Sequence, residues 1–369
     1  MSQRTLSLLF FICLLSLVAC QSDAPPPVLP NMLVEVDGEV EVVRQGGSAI
    51  PVPIALGAEL QLGDRLYLKS GQAAIFCGNE TLWASSPISL PLGKHFKLTC
   101  QEGRVKSKSK AAGISIVRRP ESRASQHIPI ALSPRSGFVL NDRPTLRWHL
   151  LPGVETYTVT LKSDDGKTRP PVSVSGNVLS YPKQWPSLQA GGAGYRLRVE
   201  GEVPRSDEGE IKEGFSLLAP DQAEQVRDLS QRLRERDLSH LSETLLLAKL
   251  YLSDEYKLRS EAAELLLALP DGDQVVAVQH LLGETYLEMG RPDEATAAYQ
   301  QALTLAQNAS LPEEQAAAHL RLGLLACAQT DHENARTHWQ EALKLYDQME
   351  SPKDEVEALL AEVESKCSP

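Results

Sequence analysis

Two stretches of equal length decide the fold, LLGETYLEMGRPDEATAAYQQAL at residues 281–303 and RLGLLACAQTDHENARTHWQEAL at residues 321–343. Small and apolar residues recur in them at the same positions, 40 residues apart. Their spacing is helical, and self-similarity at a fixed interval indicates stacked helical pairs. The shared positions are Leu282, Gly283, Ala295, Tyr299 and Ala302 in the first stretch, and Leu322, Gly323, Ala335, Trp339 and Ala342 in the second.

These positions, together with Tyr286, resemble the tetratricopeptide repeat. The resemblance implies that the small residues let paired helices approach closely, and that Tyr299 and Trp339 fill the space between repeats. The usual interval in that family is about 34 residues, so the connecting AQNASLPEEQ segment lengthens the helices or their connection. A degenerate copy at 247–269 extends the predicted array to residues 221–366.

Arrays of this family present a concave groove to a peptide or a partner helix, so the resemblance implies a protein partner. Gln279, Glu288 and His319 are candidate groove residues, with simple solvation as the alternative for each.

The C-terminal stretch DEVEALLAEVESKC, residues 354–367, predicts an end-capping helix. Its apolar stripe consists of Val356, Leu359, Leu360, Val363 and Cys367. Cys327 and Cys367 stand one repeat apart, and stacked helices lie about 8–10 Å from each other. That distance is beyond the reach of a disulfide, so both thiols are predicted to be unpaired in the monomer.

The chain begins with an apolar run at residues 6–19, which is shorter than the roughly 20 residues of a spanning helix. The run therefore predicts a signal sequence. Its end, Leu17-Val18-Ala19-Cys20, resembles the bacterial lipobox. The resemblance implies that residues 1–19 are removed and that Cys20 carries a diacylglycerol and a further acyl chain such as palmitate. The proline-rich residues 20–31 predict an extended tether.

Gln21, rather than an aspartate, follows the cysteine. In proteobacterial lipoproteins this implies delivery to the outer membrane. We therefore expect a lipid-anchored protein of the cell envelope that faces the periplasm.

Residues 32–118 predict a small all-β domain, because short alternating segments are separated by glycine turns. In its first segment Leu33 and Val34 point to opposite faces. The pattern Gly57-x-x-Leu60-x-x-Gly63-Asp64-x-Leu66 resembles the FecR-type domain. The resemblance implies a fold module, and it makes a sensor or signalling component an alternative function.

Cys77 and Cys100 both fall in strand-like segments of this domain. In an oxidising compartment they are candidates for a disulfide across the sheet. The alternative is a pair of buried free thiols.

The stretch RVKSKSKAAGISIVRRPESR, residues 104–123, carries seven basic residues and one acidic residue. One interpretation is a docking strip for lipopolysaccharide or peptidoglycan, which would make the protein a cell-wall or polysaccharide anchor. The other is a solvated edge strand whose lysines prevent aggregation, and this second interpretation is favoured.

Residues 128–217 predict a second β domain. Tyr157, Val159 and Leu161 alternate with polar neighbours, and the segment at 195–199 repeats the alternation. The pattern resembles a fibronectin type III or immunoglobulin-like sandwich, with Trp148 as its core aromatic residue.

The formal net charge of −11 is uneven, because residues 221–369 contain 28 acidic and 13 basic side chains. Such an acidic region argues against a nucleic-acid partner. The sequence contains no catalytic fingerprint and no cysteine–histidine spacing typical of zinc sites, so we expect no enzymatic activity, no cofactor and no metal site.

The expected fold is thus multidomain, with two small all-β domains followed by an all-α tetratricopeptide-repeat solenoid. The expected function is a protein-interaction scaffold or assembly factor that acts through the repeats.

Overall fold

The computed structural model describes residues 29–46, 50–77, 80–85, 88–91, 129, 131–191, 194–201, 214–361 and 367. The predicted signal sequence, Cys20, Cys100 and the basic stretch at 104–123 lie outside the described residues.

The first β domain has a core between two sheets, with strand orders β1-β5-β6 and β3-β2-β4-β7. Its described strands are β1 (Met32–Asp37), β2 (Val40–Val43), β3 (Val52–Pro53), β4 (Arg65–Leu68), β5 (Gln72–Cys77), β6 (Glu80–Ser85) and β7 (Ile88–Pro91). Leu33 and Ile75 point into this core, whereas Val34 and Phe76 point outward yet are also fully buried. The sheet containing β1 and β5 is therefore covered on both faces.

The second β domain also pairs two sheets, in orders β13-β10-β8 and β12-β11-β14-β15-β9. Its described strands are β8 (Ala131–Ser133), β9 (Gly137–Val139), β10 (Leu146–Trp148), β11 (Thr156–Ser163), β12 (Val172–Ser175), β13 (Val178–Leu179), β14 (Gly194–Gly201) and β15 (Phe215–Leu217). Trp148 is fully buried, with its ring centroid 5.8 Å from that of Tyr157. Its predicted place in the core is confirmed, as is the alternation along β11.

The C-terminal part is helical. Its described helices are α1 (Pro220–Arg234), α2 (His240–Leu252), α3 (Arg259–Leu267), α4 (Val276–Glu288), α5 (Pro292–Asn308), α6 (Pro312–Ala328), α7 (His332–Gln348) and α8 (Asp354–Ala361). The pairs α4–α5 and α6–α7 contain the two sequence repeats. The extra residues of the long interval lie in helices, because α5 and α6 have 17 residues each and only 309–311 connect them.

Glycine is required where the helices of a pair touch. A Cβ atom added to Gly283 would lie 2.7 Å from the ring of Tyr299, and one added to Gly323 would lie 2.2 Å from the Trp339 ring. Both aromatic rings are buried. Each glycine therefore lets the two helices of its pair approach closely, and the aromatic ring fills the space beside it.

The prediction that Cys327 and Cys367 are unpaired is wrong. The two residues form a disulfide, with Cα atoms 4.7 Å apart. The prediction treated Cys367 as the equivalent of Cys327 on a further stacked helix. Cys367 instead lies in a bend beyond α8, buried in the cluster that includes Trp339, Val356 and Leu359. The Cα atoms of Cys327 and Cys367 are therefore closer together than equivalent positions on two stacked helices would be.

Replacing both Cys327 and Cys367 with serine should loosen the capping helix α8. The crosslink closes a segment with a sequence separation of 40, and its removal should lower the free energy of unfolding by about 2–4 kcal/mol. Hydrogen exchange of α8 and thermal unfolding, with and without reductant, measure the effect. A double variant that matches the oxidised wild type would contradict the prediction.

Candidate functional site

The repeat-signature residues are structural. Apart from Tyr286, which is partly buried beneath the Arg291 guanidinium, the signature side chains lie inside the helical stack. Contact with a partner therefore has to use other residues of the array.

All three candidate groove residues have partners within the helical region. The Gln279 side chain is buried and donates a hydrogen bond to the Gly272 carbonyl. Glu288 forms an ion pair of 2.6 Å with Arg259. The third, His319, is partly buried, and its Nδ1 atom lies 3.0 Å from Nδ1 of His338.

The first β domain shares a hydrophobic core with the helices. Met32, Val34 and Phe76, from the outward face of β1 and β5, belong to the same buried cluster as Leu246 and Leu250 of α2. A carboxylate oxygen of Glu35 accepts a hydrogen bond of 2.6 Å from the backbone N–H of Ser239, which caps α2. The apolar and polar contacts together fix this domain against the start of the helical region.

The same domain reaches over the two repeats through residues 52–57. Val52 packs with Ala316 of α6 and Met349 after α7. Ala55 packs in a cluster with Val276 at the start of α4 and Ala306 near the end of α5.

Gly57 makes the closest approach. A Cβ atom added to it would lie 2.4 Å from that of Ala277 in the first turn of α4, and its φ of +91° also favours glycine. The segment thus covers the ends of both helical pairs on one side.

Ion pairs border this contact. The Arg44 guanidinium donates to both carboxylate oxygens of Glu313, at 2.8 and 2.6 Å, and also to Asp64 at 2.7 Å. Lys249 of α2 lies 2.5 Å from Glu59, and its positive charge is the main cause of the lowered pKa of Glu59. The bidentate geometry at Glu313 gives the contact directional specificity.

An acid and a histidine of the array lie close together and are partly buried. Nε2 of His280 and Oε2 of Glu314 are 3.3 Å apart. Loss of solvent raises the pKa of Glu314 to about 7 and lowers the pKa of His280 to about 4. Their surroundings therefore favour the neutral form of both side chains.

The second β domain is joined to α3. The backbone N–H of Leu140 donates to Glu261 at 2.7 Å, and that of Phe138 donates to the Lys257 carbonyl at 3.1 Å. The hydroxyl of Ser133 donates to Glu264 at 3.2 Å. The second β domain is thus held by two side chains of α3 and by a backbone carbonyl just before this helix.

Within the described residues, no cluster of three or more histidine, cysteine or acidic side chains is placed to hold a metal ion. Cys77 is disulfide-bonded, and the proposed pairing with Cys100 stays a prediction because Cys100 lies outside the described residues. The helices of the described part are too short or too polar to cross a bilayer.

Two segments match the tetratricopeptide repeat family, residues 276–309 and residues 317–348. They correspond to α4–α5 and α6–α7, so the predicted repeats in this region are confirmed. No curated protein and no solved structure matches the chain. Tetratricopeptide repeats generally mediate protein–protein interactions, and these helices therefore indicate an interaction scaffold in general terms.

Sequence reasoning missed the residues that join the domains. Arg44, Glu313 and Glu261 are common surface residue types in undistinguished positions. The available signal was the segment AAIFC of β5, residues 73–77, which is apolar on both faces of a strand. Such a run is typical of a sheet that is buried on both sides.

Replacing Glu261 with glutamine should stabilise the protein at high pH. Burial raises the pKa of Glu261 to about 7 from its ordinary 4.5, against the opposing effect of the Leu140 N–H. The native state therefore binds the proton of Glu261 more tightly than the unfolded state does. The resulting contribution to the free energy of unfolding is complete below about pH 4.5 and is lost as the pH rises through 7. Between pH 4.5 and pH 8, the free energy of unfolding of the variant should rise by up to about 3 kcal/mol relative to that of the wild type.

Urea unfolding at pH 4.5 and pH 8 measures this difference. Glu264→Gln is the matched control, since it changes a more exposed carboxylate on the same helix. An identical pH dependence for Glu261→Gln and the wild type would contradict the prediction.

Proposed function

We propose that this protein is a lipid-anchored lipoprotein of the bacterial outer membrane that faces the periplasm and acts as a non-enzymatic scaffold or assembly factor. The observation that carries the proposal is the pair of tetratricopeptide repeats at residues 276–348, whose signature residues form the interior of the stack. Partner binding is therefore assigned to exposed residues of these helices rather than to a reactive centre.

The anchoring part of the proposal rests on the lipobox resemblance at Cys20. The Cys327–Cys367 disulfide supports an oxidising compartment, because disulfides form and persist outside the reducing cytosol. With the anchor at Cys20, the proline-rich tether would hold the two β domains and the repeats beside the membrane.

A sensor or signalling component is the second candidate. The FecR-type resemblance of the first β domain suggests it, and the buried cluster shared by Phe76 and Leu246 favours it. Because that domain is packed against the helices, a ligand-induced change in it would reach the repeats directly. Contact of the basic stretch at 104–123 with peptidoglycan or lipopolysaccharide remains a proposal from sequence alone.

Radiolabelled palmitate should be incorporated into the wild-type chain in bacterial cells and not into a Cys20→Ala variant. The thiol of Cys20 is the expected site of thioether formation, and alanine offers no nucleophile there. Cys13→Ala is the matched control and should keep the label. Full labelling of Cys20→Ala would refute the anchor at this residue.

Photo-crosslinking residues placed in the full chain at Gln300, Gln340 or Gln348 should capture a common protein partner. These side chains are exposed on α5 and α7, so each replacement leaves the core of the repeats intact. Thr168, exposed in the second β domain, is the control position and should give a different or empty set of adducts. Identical adducts at all four positions would count against a scaffold that acts through the repeats.

A further inference from the structure

The ends of the two repeat pairs form a surface that is already occupied by another part of the same chain. The surface consists of small and apolar residues from α4, the end of α5, the start of α6 and the end of α7, and we call it the docking face. Its residues are Val276, Ala277, Ala306, Leu311, Ala316 and Met349.

From the geometry we propose that the docking face is a binding surface for an apolar, turn-containing peptide of a partner protein, and that residues 52–57 of this chain occupy it as a displaceable internal ligand. The proposal deepens the proposed scaffold function and rests on it for the existence of a partner. Its own test uses no partner.

The occupying segment has two faces with different partners. Ile54, Ala58 and Leu60 point into the core of the first β domain. Val52 and Ala55 contact the docking face, and Gly57 touches Ala277. Residues 52–53 are a strand and residues 56–57 form a turn in which Gly57 has a φ of +91°. The strand and the turn together present side chains to both surfaces, which defines the shape that a competing peptide needs.

The contact of the first β domain with the helices has two unequal parts. Against α2 it buries large side chains, including Phe76, Leu246 and Leu250. Over the docking face it uses Val52, Ala55 and Gly57, whose side chains are small or absent, while Leu56 of the same segment packs at the edge of the cluster that contains Leu246 and Leu250. Since burial free energy scales with apolar area, the part over α4 and α6 is the weaker one. It can open while the domain stays attached at α2.

Charges hold this weaker part in place. Arg44 is bound to Glu313 from the array and to Asp64 from its own domain. Reversing the charge of Glu313 therefore breaks the inter-domain pair and leaves the pair of Arg44 with Asp64 intact. A competing partner would offer a basic side chain at the place of Arg44, next to its apolar residues.

The test measures binding of a fluorescein-labelled peptide, IPVPIALGAELQ, which reproduces residues 50–61, to the full chain by fluorescence anisotropy. An attached segment competes at a local concentration in the millimolar range, so the wild type should bind the peptide weakly. Glu313→Arg should bind it at least about tenfold more tightly, because repulsion from Arg44 frees the docking face. Glu313→Gln, which removes the pair without repulsion, should lie between the two.

Three controls define the outcome. Glu333→Arg makes the same charge change at an exposed position of α7 and should behave as the wild type. Adding Ala277→Trp to Glu313→Arg places a large side chain where Gly57 sits and should abolish the gain. A peptide with lysine at the position of Glu59 loses the contact with Lys249 and should bind Glu313→Arg more weakly.

Hydrogen exchange of α2 should stay at the wild-type level in Glu313→Arg, with circular dichroism as the check of folding. Equal peptide binding by the wild type and both Glu313 variants would overturn the proposal. Dimerisation of Glu313→Arg would also overturn it, because the occupant would then be a second copy of the chain. None of these results alters the photo-crosslinking test, so failure of the docking face and failure of the scaffold function are distinguishable.

Discussion

The shared hydrophobic core between the first β domain and α2 is the contact on which the rest of the arrangement depends. Met32, Val34 and Phe76 on one side, and Leu246 and Leu250 on the other, are at most 1% exposed. Without this core the outward face of β1 and β5 would be an exposed apolar sheet, and the start of the helical region would lose its cover. It also places residues 52–57 over the repeats, where their weaker contacts form.

The two β domains are attached to the helices by apolar and polar contacts together. The first contributes buried side chains to a large apolar cluster, with ion pairs at its border. The second packs Phe138 and Leu140 against the same cluster and adds hydrogen bonds at Leu140, Phe138 and Ser133. A carboxyl group that burial shifts towards neutrality lies at each joint, Glu314 at the first and Glu261 at the second. The stability of both joints therefore depends on proton binding close to neutral pH.

Local periodicity made the repeats predictable. Gly283 and Tyr299 meet within one helical pair, so their contact can be predicted from their spacing in the sequence. The core position of Trp148 was predictable for the same reason, because it follows from the alternation within one domain. Contacts between domains leave no such pattern, since Arg44 and Glu313 are separated by 269 residues. The disulfide of Cys327 was missed because helical spacing was extended to Cys367, which lies past the end of the helix.

The Cys327–Cys367 crosslink has a consequence for where in the cell the molecule becomes complete. In a reducing compartment the two thiols would stay separate, and the buried cluster around Trp339 would be closed by packing alone. On transfer to an oxidising compartment the same chain would acquire a covalent closure at the end of the array. The state of this one bond thus reports whether a given molecule has met an oxidising environment.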